Sequence, residues 1–158
     1  MKQCLFYIFI SLIFASCSRL NKATDFITNP TAKEVYKRDY NISDQLFSLW
    51  EQQHNIGLQD SLKIELPYAE NGQFTPRSFP IYSYEMNLNT GEVFNFEIFT
   101  DSINDLVFID FYRITKDSIQ RFENIESTEI DQKIFQYEIK ESGRYKIVIQ
   151  PAIETQSD

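Results

Sequence analysis

The chain has 158 residues, with 15 Lys and Arg against 23 Asp and Glu, for a formal net charge of −8. So acidic a surface repels nucleic acid phosphates and anionic lipid heads, which argues against nucleic acid as a partner and against a basic patch as a membrane attachment. Fourteen Phe, nine Tyr and one Trp beside only four Gly exclude a disordered chain and predict one packed body of ordinary domain size.

The first sixteen residues, MKQCLFYIFISLIFAS, carry a basic Lys2 and run uncharged from Leu5 to Ala15. That stretch has the length of a secretory leader's apolar centre and falls short of the roughly 20 residues that span a bilayer. It ends in Phe14-Ala15-Ser16-Cys17, which resembles the lipobox of bacterial lipoproteins: a bulky apolar residue, two small residues that fit a peptidase cleft, then cysteine. The resemblance implies that residues 1–16 are removed as a signal peptide and that Cys17 is lipidated. It places the protein in the bacterial cell envelope, anchored to the membrane through Cys17, on the outer membrane rather than the inner. A plain secretory leader with an incidental cysteine is the competing reading. Cys4 leaves with the leader, so no thiol remains for a disulfide or a thiolate metal site, and stability has to come from burial.

Residues 17–30 are polar without a sustained period and read as a tether that ends at Pro30. A helical hairpin is predicted within 31–57, as helices 31–39 and 43–55. Thr31 with Glu34 forms a capping box, Ser43 caps the second helix, Leu46, Leu49 and Trp50 share an apolar face, and Gly57 is the stop. After Asp60 the period changes to two. LKIEL (62–66) alternates as a strand, and the proline-rich stretch 67–80 is a loop. Tyr82, Tyr84, Met86 and Leu88 face one way, then Phe94, Phe96 and Ile98 do so after the Asn89-Thr90-Gly91 reversal, which reads as a hairpin with an aromatic inner face. DLVFIDFYRI (105–114) is apolar on both faces and belongs at the centre of a sheet. SIQRF (118–122) reads as a short strand and ENIESTEIDQ (123–132) as an acidic turn. Two last strands turn Phe135, Tyr137, Ile139 and Tyr145, Ile147, Ile149 inward, and 152–158 is a tail. About seven strands over 61–151 predict a mainly β domain, an antiparallel β-sandwich or jelly roll, with the helices on one edge or end.

Leu66-Pro67-Tyr68, Tyr82-Ser83-Tyr84, Gly91-Glu92-Val93, Val107-Phe108-Ile109-Asp110 and Gly143-Arg144-Tyr145 together resemble the N-terminal accessory module of lysostaphin-type zinc peptidases, which cut peptidoglycan cross-links. ESGRYKIVIQP (141–151) is more loosely similar to the last hairpin of bacterial pre-peptidase C-terminal domains. The resemblance covers about residues 31–151 and implies a non-catalytic module, with peptidoglycan or an envelope protein as partner. The zinc chemistry of that family does not carry over. It needs several histidines, and the chain has His54 alone, read as a helix-surface residue. No cofactor is predicted. One alternative is the leading part of a peptidoglycan zinc endopeptidase, and another is a surface glycan-binding lipoprotein.

Asp110 is the one charge on the apolar strand and reads as a strand-edge carboxylate satisfied by backbone or by Arg113. Glu123, Glu126, Glu129 and Asp131 group oxygens that suit calcium, but they match no calcium loop and read as solvated. Asp60-Ser61-Leu62, Asp101-Ser102-Ile103 and Asp117-Ser118-Ile119 resemble an envelope O-glycosylation pattern, which makes Ser61, Ser102 and Ser118 candidate acceptors and turn formers equally. Tyr68 and Phe74, outside the alternating core pattern, are the candidate ligand contacts.

Overall fold

The computed structural model describes residues 25, 28–72, 79–100, 106–116, 120–128 and 133–153. The protein is mainly β, a sandwich of two sheets preceded by a short helical hairpin. Helices α1 (Ala32–Asp39) and α2 (Asp44–Gln59) lead into β1 (Leu62–Lys63), β2 (Tyr82–Leu88), β3 (Val93–Glu97), β4 (Val107–Lys116), β5 (Gln120–Ser127), β6 (Ile134–Glu138) and β7 (Gly143–Pro151).

The helix starts form as their sequence dictates. Thr31 and Glu34 make the reciprocal capping box, and Ser43 Oγ accepts from the Leu46 amide. Asn41, at φ 52°, takes the left-handed turn between the helices that asparagine tolerates. Gly57 is a contact and not a stop. A Cβ there would lie 2.8 Å from Ile81 Cδ1, so glycine lets α2 continue to Gln59 against the chain entering β2. The buried stripe of α2 is Phe47, Trp50, His54 and Gly57, and Leu49 is exposed. Of the tether, Asp25 and Thr28 are helical, and Asp25 pairs with Arg38 of α1 at 2.5 Å; residues 17–24 lie outside the described residues.

One sheet has the order β1-β2-β7-β4-β5 and the other pairs β3 with β6. All pairs are antiparallel except the short β1–β2 contact. The predicted hairpin of β2 with β3 does not form. Leu88 stands opposite Gly143 and Val93 opposite Glu138, so the register is unbroken across the corner between β2 and β3. Strands β2–β3 and β6–β7 are thus one long antiparallel ribbon folded over on itself. Gly91 at φ 85° donates to the Ile139 carbonyl, and the Thr90 amide donates to Ser142 Oγ, which fastens the two corners together. The fold follows from the side-chain pattern. Both halves of the ribbon are aromatic on the same side, and doubling it over closes those sides on each other, whereas a flat hairpin would leave one open.

That closure makes the main core, in which Met86, Leu88, Phe94, Phe135, Ile139 and Tyr145 are buried around Phe111. Phe111 is fully buried, with ring centroids of Phe94, Phe135, Tyr137 and Tyr145 between 5.1 and 5.7 Å away. As its apolar pattern predicts, β4 is central, between β7 and β5. Its other face, with Phe108, meets Tyr36, Phe47 and Trp50 in a second cluster. The helices therefore lie across a face of the five-stranded sheet and not on its edge, because β4 and β7 need cover on both sides. Two further sequence expectations are corrected. LKIEL keeps only two strand residues, and Leu62 and Leu66 are exposed, since just Ile64 reaches the core. The acidic stretch from Glu123 to Ser127 is strand, not turn, because β5 pairs with β4 along it and Glu123 takes the Arg113 guanidinium at 2.7 Å. Glu129 and Asp131 lie outside the described residues.

Truncating Phe111 to Ala empties the centre of the ring cluster and is expected to cost about 3–5 kcal/mol in denaturant-unfolding measurements; a cost below about 1 kcal/mol contradicts this packing.

Candidate functional site

Two features carry polar chemistry, one inside the helix–sheet interface and one open to solvent. The first is centred on Asp110. Strand parity turns its side chain toward the helices, where its Oδ2 accepts from Lys33 Nζ of α1 at 2.7 Å and lies 2.9 Å from His54 Nε2 of α2. Ser127 Oγ of β5 donates to Oδ1 at 2.5 Å, and the Tyr112 hydroxyl lies 3.3 Å from His54 Nε2. Burial by itself raises the Asp110 carboxyl, but the His54 hydrogen bond, the Lys33 charge and hydrogen bond, and the Ser127 hydroxyl outweigh it and hold the group well below the usual carboxylate range. Burial, then the Asp110 charge, pushes the Tyr112 phenol up.

This corrects two expectations. His54 is buried, not on the helix surface, because it continues the Phe47–Trp50 stripe four residues on. Asp110 lies on a central strand, and its partners are Lys33, His54 and Ser127. Arg113 points the other way, to Glu123 and Glu141. The Asp110 and His54 side chains are 8% and 10% exposed, and the one nearby hydroxyl of serine donates to the carboxylate and not to the imidazole. The arrangement ties α1, α2, β4 and β5 together.

Other helix-facing polar groups serve the same joint. Gln150 Nε2 donates to the Trp50 carbonyl at 2.7 Å, and Trp50 Nε1 donates to the Pro151 carbonyl at 2.9 Å. Lys146, nearly fully buried, donates to the Leu58 carbonyl in the last turn of α2, where a cation also complements the helix dipole. Desolvation lowers its pKa, with the Glu85 charge acting against that.

The second feature is an open groove of about 690 Å³ between the segment Ile64–Tyr68 and the corner of the ribbon, with Asn87, Leu88 and Glu92–Asn95 on the far wall. It exists because β1 leaves the edge of β2 after Ile64, whose amide bonds the Glu85 carbonyl at 2.9 Å. Leu66, Tyr68 and Val93 expose 46%, 42% and 50% of their surfaces there. The Tyr68 hydroxyl donates to Glu70 at 2.6 Å, the Tyr84 hydroxyl donates to the same oxygen at 3.0 Å, and the two rings lie 5.6 Å apart. Tyr68 is raised by that hydrogen bond, and Tyr84 by burial and then by Glu70. Among the described residues the lining includes Glu65 and Glu92 and no Lys or Arg.

Of the residues singled out in the sequence, Tyr68 stands in the groove and Ser61 is half-buried in the link from α2 to β1. Cys17, Phe74, Ser102 and Ser118 lie outside the described residues. The sequence signal for His54 was its place on the α2 stripe. Lys33 and the far groove wall had no local signal, since they meet their neighbours only through the folded ribbon. No protein-family model matches the chain, and no curated protein and no solved structure matches it.

Replacing Asp110 by Asn leaves the Lys33 ammonium without its counter-charge and is expected to lower stability by about 3–5 kcal/mol at neutral pH. The native carboxyl titrates below its unfolded value of about 3.9, so its contribution is present above that pH and fades as the pH falls through the depressed folded value. Unfolding measured against pH should therefore show the gap between wild type and variant narrowing below about pH 4; a constant gap contradicts the ionised cluster.

Proposed function

We propose that the chain is a lipid-anchored cell-envelope protein whose β-sandwich is a non-catalytic binding or accessory module, held to the membrane through Cys17 and turned toward peptidoglycan or an envelope partner. The observation that carries this reading is the contrast between the two polar features. The charged cluster at Asp110 is enclosed and spent on joining helices to sheet. The groove beside Tyr68 is open and combines exposed apolar and polar walls, as ligand sites do. The leader and Phe14-Ala15-Ser16-Cys17 supply the anchor. Among the described residues no helix is long and apolar enough to cross a membrane. The acidic charge gives anionic lipid heads nothing to hold, so attachment falls to the acyl chains. The resemblance to the accessory module of peptidoglycan peptidases agrees with this role.

A glycan-binding surface lipoprotein is the second reading, favoured by the exposed Tyr68 ring on the groove rim, where a sugar face can stack.

Labelled palmitate supplied to bacteria expressing the chain is expected on the wild-type protein and absent from the Cys17→Ala variant, which should leave the membrane fraction. Equal labelling of both, or of neither, contradicts the anchor. Release of peptidoglycan fragments by the purified chain would move it to the peptidase alternative.

A further inference from the structure

We infer that the groove between Ile64–Tyr68 and the ribbon corner takes an extended, basic peptide segment of a partner protein, added as a strand to the edge of β2 and β3 that is unpaired among the described residues. The inference rests on the reading of the chain as a binding module and names the ligand of its groove.

The edge is open in a specific way. Ile139 donates to the Glu92 carbonyl and Ile98 donates to the Lys133 carbonyl, so the main chains of Glu92 and Ile98 face β6. Strand alternation gives Phe94 and Phe96 the same direction, and turns the N–H and C=O of Val93, Asn95 and Glu97 outward. On β2, the Ile64 amide bonds the Glu85 carbonyl, so the β1 side of that strand is the side of Glu85 and, two residues on, of Asn87. Strand β1 pairs only with Tyr84 and Glu85, which leaves Asn87 past its end. The main chains of Asn87, Val93 and Asn95 therefore follow one another along the groove wall. Asn95 Nδ2 donates to its neighbour Val93 O at 3.2 Å, a local substitute that an incoming amide can replace.

The groove also selects among strands. Leu66, Val93 and Tyr68 offer exposed apolar surface for side chains on one side of an added strand. Among the described residues that line it are Glu65 and Glu92, the latter also accepting from Asn89, and no Lys or Arg, and the chain as a whole is at −8. An acidic peptide is repelled and a lysine-bearing one attracted. Main-chain pairing supplies attachment and the alternating pockets supply selectivity, the mode by which a peptide extends a sheet.

The test uses the full isotopically labelled chain in a neutral detergent and an octapeptide of alternating Lys and Val, with its Glu–Val counterpart and a neutral β-1,4-linked glucose hexasaccharide as the other probes. The Lys–Val peptide should shift the amides of Asn87, Val93 and Asn95 and slow their hydrogen exchange, while the Glu–Val peptide does neither. Glu65→Lys changes an exposed side chain and should weaken the Lys–Val peptide about tenfold while leaving the melting temperature in place. Val93→Pro removes one outward amide without touching a β3–β6 hydrogen bond and should weaken it further. Shifts elsewhere on the protein, equal binding of the two peptides, or no effect of Glu65→Lys overturns the inference. Shifts at the same amides with the hexasaccharide alone also overturn it, in favour of a glycan, and leave the binding-module reading standing.

Discussion

The joint between helices and sheet depends on one buried carboxylate. Asp110 draws Lys33 from α1, His54 from α2 and Ser127 from β5 onto a central strand. Burying an ion is expensive, and an apolar residue of similar size often stabilises as well or better. What an apolar contact cannot do is fix an angle. The Tyr36, Trp50 and Phe108 rings of the neighbouring cluster meet at tilted and edge geometries that tolerate sliding. Directional bonds from two helices to one carboxylate do not tolerate it. The cluster thus serves as the registry device of the α layer, and the Gln150 and Lys146 bonds to α2 carbonyls repeat the device along β7.

The same parity rule that sends Asp110 to the helices sends Ile109 and Phe111 to the opposite core. On β4 and β7 the helix side mixes Phe108, Tyr112 and Val148 with the buried Asp110, Lys146 and Gln150, and the other side is apolar and closed by β3 and β6. The folded ribbon produces this division. Its two corners bond each other through Gly91, Thr90, Ile139 and Ser142, so neither half of the sandwich moves in register without the other. A groove placed at that corner inherits its rigidity, which is the preorganisation that recognition by an edge requires.

Much of this was legible in the residues. The capping box at Thr31, the Ser43 cap and the inward-facing positions of β2, β3, β6 and β7 follow from local rules, because capping and period-two burial are decided within a few residues. The ribbon was not legible. Asn89-Thr90-Gly91 suits a hairpin as well as a corner, and only the partners, β6 and β7, decide between them. His54 was misplaced for a related reason: hydropathy assigns a lone histidine to the surface, whereas its position on the Phe47–Trp50 stripe assigns it inward, and the stripe prevails once Asp110, 56 positions away, supplies a partner. The groove was half visible. Tyr68 stands out in a proline-rich loop, but Val93 and Asn87 become its neighbours only through the corner.

Placement of the groove follows from how the layers cover the central sheet. Its walls are the segment after β1 and the ribbon corner, while the chain that precedes α1 is held to that helix where Asp25 pairs with Arg38. The α layer covers one face of the five-stranded sheet, and the β3–β6 sheet covers the other. Among the described residues the edge formed by β3 and the end of β2 pairs with no further strand. The segment that precedes α1 therefore meets the helix layer, at Arg38. Helices that sat on that edge would have occluded it, so the charged clamp that fixes them on the sheet face is also what keeps the groove accessible.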